Sequence, residues 1–106
     1  MTAPCIEIAR FRLKSDVSEE QLRNASDTLQ NDFLSRVGGF LSRELLHVEG
    51  PDYIDLVRWR SKEAALAAMQ KADQSPAAGA YFALMDWEAV DPSTAVTHCA
   101  PLVSYG

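Results

Sequence analysis

Apolar and polar positions follow two rhythms along this chain, a period near two and a period of three to four, and their order outlines a fold. From Cys5 to Leu13 the apolar content (Ile6, Ile8, Phe11, Leu13) reads as a strand with imperfect alternation. Ile6 and Ile8 share a face with Arg10 and Arg12, whereas Glu7 shares the other with Cys5, Ala9, Phe11 and Leu13. A strand apolar on both faces is usually covered on both. The rhythm then changes. Leu22, Ala25, Leu29, Phe33 and Val37 form one apolar stripe, which predicts a helix from about Glu19 to Val37. Ser18-Glu-Glu-Gln21 is a capping-box pattern, and Val17 with Leu22 occupies the positions of a hydrophobic staple. Gly38-Gly39 is expected to end the helix, because glycine takes the left-handed C′ conformation at little cost.

Phe40 to Val48 reads as a second strand, Glu49-Gly-Pro-Asp52 as a tight turn, and Tyr53 to Arg60 as the antiparallel hairpin partner. Ser61 is a natural N-cap, Glu63 suits the positive end of a helix, and Ala64 to Met69 is nearly all strong helix former. The second helix is therefore expected from Lys62 to about Ala72. Ser75-Pro76 opens a short helix through about Met85, weakened by Gly79. Asp91-Pro92-Ser93 is a turn, and the last strand is placed at Thr94 to Val103.

A hairpin between two crossover helices is the split βαβ arrangement. The expected fold class is α+β, a ferredoxin-like βαββαβ domain over residues 1–106 with an antiparallel sheet, in which right-handed crossovers would set the first and third strands side by side and parallel. Ile6, Ile8, Leu41, Leu45, Ile54 and Leu56 can share one face, and Cys5, Phe11, Phe40, Leu46, Tyr53, Val57 and Trp59 the other. One layer of helices covers only one apolar face, so a second copy of the chain is expected over the other, closing a homodimeric α/β barrel.

Composition narrows the function classes. The 106 residues carry a net charge of −5, which argues against a general nucleic-acid surface. No apolar run approaches the roughly 20 residues of a membrane span, and Met-Thr-Ala-Pro-Cys lacks the layout of a secretory signal. Cys5 and Cys99 have no metal-ligand spacing, so two free thiols in a cytoplasmic protein are expected and no metal is implied.

Gly39-Phe40 at the second strand and Trp59-Arg-Ser-Lys-Glu-Ala64 at the strand-to-helix junction resemble the dimeric α/β-barrel superfamily of antibiotic biosynthesis monooxygenases and haem-degrading monooxygenases, the latter stretch matching its W-x-S-x-E-A motif. The resemblance implies one of two chemistries. The haem-degrading branch uses an Asn–Trp–His set. Trp59 matches its tryptophan, but Ala9 stands at the asparagine position and no histidine lies between His47 and His98, which disfavours haem. The quinone-forming branch needs no cofactor, because an electron-rich phenol or dihydroxyarene supplies electrons to oxygen itself. The protein then provides an apolar cleft, a proton acceptor and exclusion of water.

Tyr53, Asp55, Val57 and Trp59 would line such a cleft between sheet and helices, with Glu7 facing the same way. Asp55 and Glu7 are the catalytic candidates, since carboxylates among apolar neighbours become proton acceptors when burial raises their pKa; an ion pair is the alternative role. Trp59, Tyr53, Phe40 and Phe33 are the candidates for binding a small aromatic substrate. His47 and His98 fall near strand ends, a thin ligand set for any metal. Arg10, Arg12, Arg43, Arg58 and Arg60 are expected to gather at one end of the sheet face opposite Trp59, either as an anion site or as ion pairs between subunits. The same fold also serves non-catalytic ligand-binding or dimerisation modules, the competing reading.

Overall fold

The computed structural model describes residues 3–106; Met1 and Thr2, at the start of the segment read above for a secretory signal, lie outside them. Strands β1 (Cys5–Arg12), β2 (Phe40–Glu49), β3 (Asp52–Trp59) and β4 (Val96–Cys99) form one sheet in the order β2-β3-β1-β4. Every neighbouring pair is antiparallel, including β1 with β3. The expected parallel pairing of the first and third strands is thereby corrected. In a split βαβ unit the strand inserted between two parallel ones arrives by a hairpin and runs against both. The α+β, ferredoxin-like class stands.

Local signals set the helix starts. Helix α1 (Glu19–Asp32) begins with the full capping box: Gln21 N–H donates to Ser18 Oγ at 3.1 Å, and Ser18 N–H donates to Gln21 Oε1 at 2.8 Å. Ser61 caps α2 (Lys62–Ala72), and Ser75 with Pro76 at the first turn opens α3 (Pro76–Phe82). Ends follow less local rules. The first helix stops at Asp32 rather than Val37, because Phe33 leaves helical geometry (φ −130°, ψ −68°) and a 3₁₀ turn, Leu34–Arg36, buries Leu34. Ser35 and Arg36 side chains donate to the Asn31 carbonyl there. Gly39 has a different task from helix termination. Its φ is +88°, and a Cβ there would lie 2.5 Å from Ala64 Cβ, so glycine lets β2 start against α2.

The third helix ends at Phe82, short of Met85, which instead bridges to Leu13. The last strand is four residues long rather than the ten of Thr94 to Val103. Asp91 caps a single helical turn, α4 (Pro92–Ala95), which consumes its expected start, and proline at 101 cannot extend the ladder as a donor.

The sheet's helix-covered face carries Cys5, Phe11, Tyr53, Val57 and Trp59 into a core completed by Leu22 and Leu29 of α1, Ala65 and Ala68 of α2, and Ala78 and Tyr81 of α3. On β2 the expected faces are corrected. A bulge between Phe40 and Ser42 inserts Leu41 as an extra residue, so the side chains from Ser42 to His47 change face, until a second irregularity before Glu49. Leu45 and Arg43 turn toward the helices opposite Asp55 and Val57, while Leu46 pairs with Ile54 on the open face. The predicted arginine cluster dissolves for two reasons. Antiparallel pairing puts Arg10 and Arg12 at the opposite end from Arg58, and the bulge puts Arg43 on the other face. Arg12 instead forms a two-point pair with Asp52, at 2.9 and 3.3 Å. The open face retains half-buried Ile6, Ile8, Ile54 and Leu56.

Candidate functional site

One row of the sheet brings four side chains to the helix-covered face at its middle. His98 of β4 pairs with Glu7 of β1, Glu7 with Val57 of β3, and Val57 with Arg43 of β2. Asp55 and Trp59 lie two residues either side of Val57 on the same face, a consequence of strand periodicity. Above this row the helices do not close completely. Ala65 and Ala68 of α2 and Ala78 of α3 are small, and they leave a cavity of about 240 Å³ between sheet and helices. Phe33 and Leu34, just past α1, wall one side, and half-exposed Met69 and Phe82 stand at its rim.

The polar groups of this cavity are few and mostly tied. Asp55, 7% exposed, accepts from Arg43 Nε at 3.0 Å and from the Tyr81 hydroxyl at 2.6 Å. Burial raises the Asp55 carboxyl above its ordinary value, with the Arg43 charge and the two hydrogen bonds pulling the other way. Burial, followed by the Asp55 charge, also pushes the Tyr81 phenol well above its usual range, so it stays protonated and donates. Arg43 Cζ sits 5.4 Å from the centroid of the Tyr81 ring, which steadies the guanidinium plane.

Glu7 is held differently. Oε1 meets His98 Nε2 at 3.2 Å, both side chains being 15% exposed. Burial raises its carboxyl above the ordinary value; contact with His98 opposes this, and nearby Asp55 reinforces it. The Trp59 indole N–H is near enough to draw the Glu7 carboxyl down slightly, but it makes no hydrogen bond of good geometry. Among the described residues two buried donors in the cavity, Trp59 Nε1 and Arg43 Nη2, meet no acceptor in good hydrogen-bond geometry.

Of the residues singled out in the sequence, Asp55, Glu7, Trp59 and Phe33 line this cavity together. Phe40 and Tyr53 do not. Phe40 packs edge-on behind Trp59, with ring centroids 5.8 Å apart at 81°. Tyr53 lies six residues before Trp59 and lines a separate hollow of about 350 Å³ with Glu19, Arg23, Asp27 and His47. There it stacks on His47 at 4.7 Å and donates to Glu19 at 3.2 Å. Arg43 and Tyr81 were missed. Arg43 was assigned to the wrong face because the bulge was not visible. Tyr81 had a usable signal, being the one large polar aromatic at helical spacing from Ala78 in a short helix of small residues. Among the described residues no group of three or more His, Cys, Asp or Glu could hold a metal ion. None of the helices described is long and apolar enough to cross a membrane.

No protein-family model matches the sequence, nor does any curated protein match it. Solved structures do match, over nearly the whole chain. SnoaB from Streptomyces nogalater, described as a cofactor-independent oxygenase, is 18% identical with a TM-score of 0.68, covering 99% of this chain and 97% of its own. Rv0793 from Mycobacterium tuberculosis is 23% identical with a TM-score of 0.63, covering 98% and 100%. Rv3592 from the same organism, described as a haem-degrading protein, is 16% identical with a TM-score of 0.58, covering 97% and 99%. The chain thus has the fold of antibiotic biosynthesis monooxygenase-type proteins.

Proposed function

We propose that residues 1–106 are one domain of a homodimeric, cofactor-independent monooxygenase that oxidises a small phenol- or quinol-type aromatic in the cavity beside Trp59. The observation that carries this reading is Glu7: a carboxyl of raised pKa, backed by His98, in the wall of an otherwise largely apolar cavity. At about 240 Å³ the cavity is just below the about 300–1,000 Å³ usual for ligand sites, which suits one or two rings. SnoaB's description as a cofactor-independent oxygenase agrees with such chemistry.

Glu7 takes the proton from the aromatic hydroxyl, through its oxygen not engaged by His98, and the resulting phenolate is electron-rich enough to reduce dioxygen. Attachment of oxygen at the ring carbon para to the hydroxyl gives a hydroperoxide. Its O–O bond breaks as the ring C–H proton leaves, and water departs. A phenol and one dioxygen become one quinone and one water, so the substrate supplies all the electrons. Asp55 orders Arg43 and Tyr81 around the site, and the apolar walls keep water from the intermediate.

Half-buried Ile6, Ile8, Ile54 and Leu56 on the open sheet face support a second copy as the covering layer, and two free thiols suit the reducing cytoplasm. Haem does not fit this cavity: it is small, and its lining includes no histidine to hold iron. A ligand-binding module without catalysis is the second reading. It is favoured by Asp55, whose two oxygens are both engaged within the protein.

Oxygen uptake with a panel of naphthols and dihydroxynaphthalenes separates the two. Turnover above the buffer rate is expected, and Glu7→Gln should lower kcat by about 10²–10⁴-fold while affinity holds. Saturable binding without uptake would leave the binding module standing. A monomer by light scattering would remove the dimer.

A further inference from the structure

We propose that the ligand carries a neutral, alkyl-like chain that leaves the cavity between α2 and α3 and lies over Met69, Phe82 and Trp87. The inference rests on reading the cavity as a site for an aromatic ring and adds what the ligand holds outside it. Two lining residues reach solvent as large apolar side chains: Met69 is 46% exposed and Phe82 39%. They come from α2 and α3, so the cavity opens between these helices. Trp87, 55% exposed, extends the apolar surface beyond Phe82, meeting it edge-on with ring centroids 6.1 Å apart. Exposed apolar side chains scattered singly are ordinary, but a run that leads into a pocket marks a binding groove.

Trp87 is exposed but held. Its indole N–H donates to the Phe82 carbonyl at 3.0 Å. Just before it, Asp86 N–H donates to the Arg12 carbonyl at 2.8 Å, and Met85 is buried. The ring therefore gives up rotamer freedom while more than half of its surface stays in water, a cost that a covering ligand offsets. Size and charge select the occupant. A cavity of about 240 Å³ is smaller than the about 300–1,000 Å³ of sites that enclose a whole ligand, so a longer ligand must leave by the mouth. Asp73 stands exposed among the lining residues at the end of α2, which opposes an anionic chain end. A second copy of the chain is proposed on the opposite, open face of the sheet, and that leaves this side to the ligand.

Calorimetric titration with 1-naphthol and its 6-alkyl derivatives, methyl through hexyl, tests the track. Position 6 sets the chain on the ring away from the hydroxyl, because Glu7 lies on the sheet and the mouth lies between the helices above it. Each added methylene should tighten binding about two- to fourfold, levelling off once the chain has crossed Trp87. Trp87→Ser should remove most of the gain from the longer chains. Leu66→Ser, at another half-exposed apolar residue of α2 that does not line the cavity, should keep it. Affinity that does not change with chain length in the wild type overturns the inference. So does a Trp87→Ser protein that keeps the full gain, or a Leu66→Ser protein that loses as much. Hexanol binding as tightly as hexylnaphthol would show a patch unconnected to the ring site, and a changed molar mass of Trp87→Ser in light scattering would show an interface between copies; either overturns it. If 1-naphthol binds and the chain adds nothing, only the chain track fails. If neither 1-naphthol nor any derivative binds, the reading of the cavity fails with it.

Discussion

The cavity beside Trp59 and the hollow beside Tyr53 lie on the same face of the same sheet, with Trp59 and Tyr53 six residues apart on β3, yet they are chemically opposite. The hollow is ringed by Glu19, Arg23, Asp27 and His47, all exposed to solvent; the Arg23–Glu19 pair there is 73% and 44% exposed by side chain. The cavity holds its Arg43–Asp55 pair at 6% and 10%. Water satisfies the first set cheaply, whereas the second set must be satisfied by protein or by a ligand. That difference makes one a surface feature and the other a candidate site.

Breaking the buried pair is the strongest way to test the contrast. Arg43→Leu strands the Asp55 charge with only the Tyr81 hydroxyl, and should cost about 3–5 kcal/mol in chemical denaturation. Arg23→Leu at the hollow should leave the midpoint nearly unchanged. Similar losses at both places would show that the cavity is as wet as the hollow.

The two tyrosines give a finer test. Tyr81→Phe deletes the 2.6 Å hydrogen bond to buried Asp55 and should cost about 1–3 kcal/mol. Tyr53→Phe deletes only a 3.2 Å contact with half-exposed Glu19, and a smaller loss is expected from the same measurement. A larger loss at Tyr53 would reverse the ranking of the two regions.

The smallest effect concerns pH. Burial raises the Glu7 carboxyl in the folded state, so the folded protein binds that proton more tightly than the unfolded chain. The resulting cost is absent below the ordinary carboxylate range and grows as pH climbs from there through the raised value. Glu7→Gln removes it. Its melting temperature relative to wild type should therefore rise as pH climbs from about 4, the ordinary glutamate range, and a difference that shrinks instead would mean Glu7 is stabilised as the carboxylate.

Much of this arrangement was readable before the fold was known. The residues Glu7, Asp55, Trp59 and Phe33 meet because strand alternation and the α1 stripe put them toward one core. Tyr53 and Phe40 followed the same rule onto the right face but into other company, since parity assigns a face and not a position along it. Arg43 was lost to a single inserted residue. A bulge at Leu41 leaves no mark in β2's composition, and it shows only when the strand is laid against β3.

What the sequence by itself determined was whatever depends on neighbours a few residues away: the capping box at Ser18, the caps at Ser61 and Ser75, the β2–β3 hairpin and the helix starts. These are closed by hydrogen bonds and dihedral preferences within about one turn, so local residues suffice. Tertiary structure alone decided the direction of β1 against β3, the bulge, the burial of Leu34 past the end of α1 and the company of Arg43 and Trp59 in one cavity. Each depends on partners at least a dozen residues away or on how completely the helices close over the sheet, and that is settled by the packing of the whole rather than by any segment.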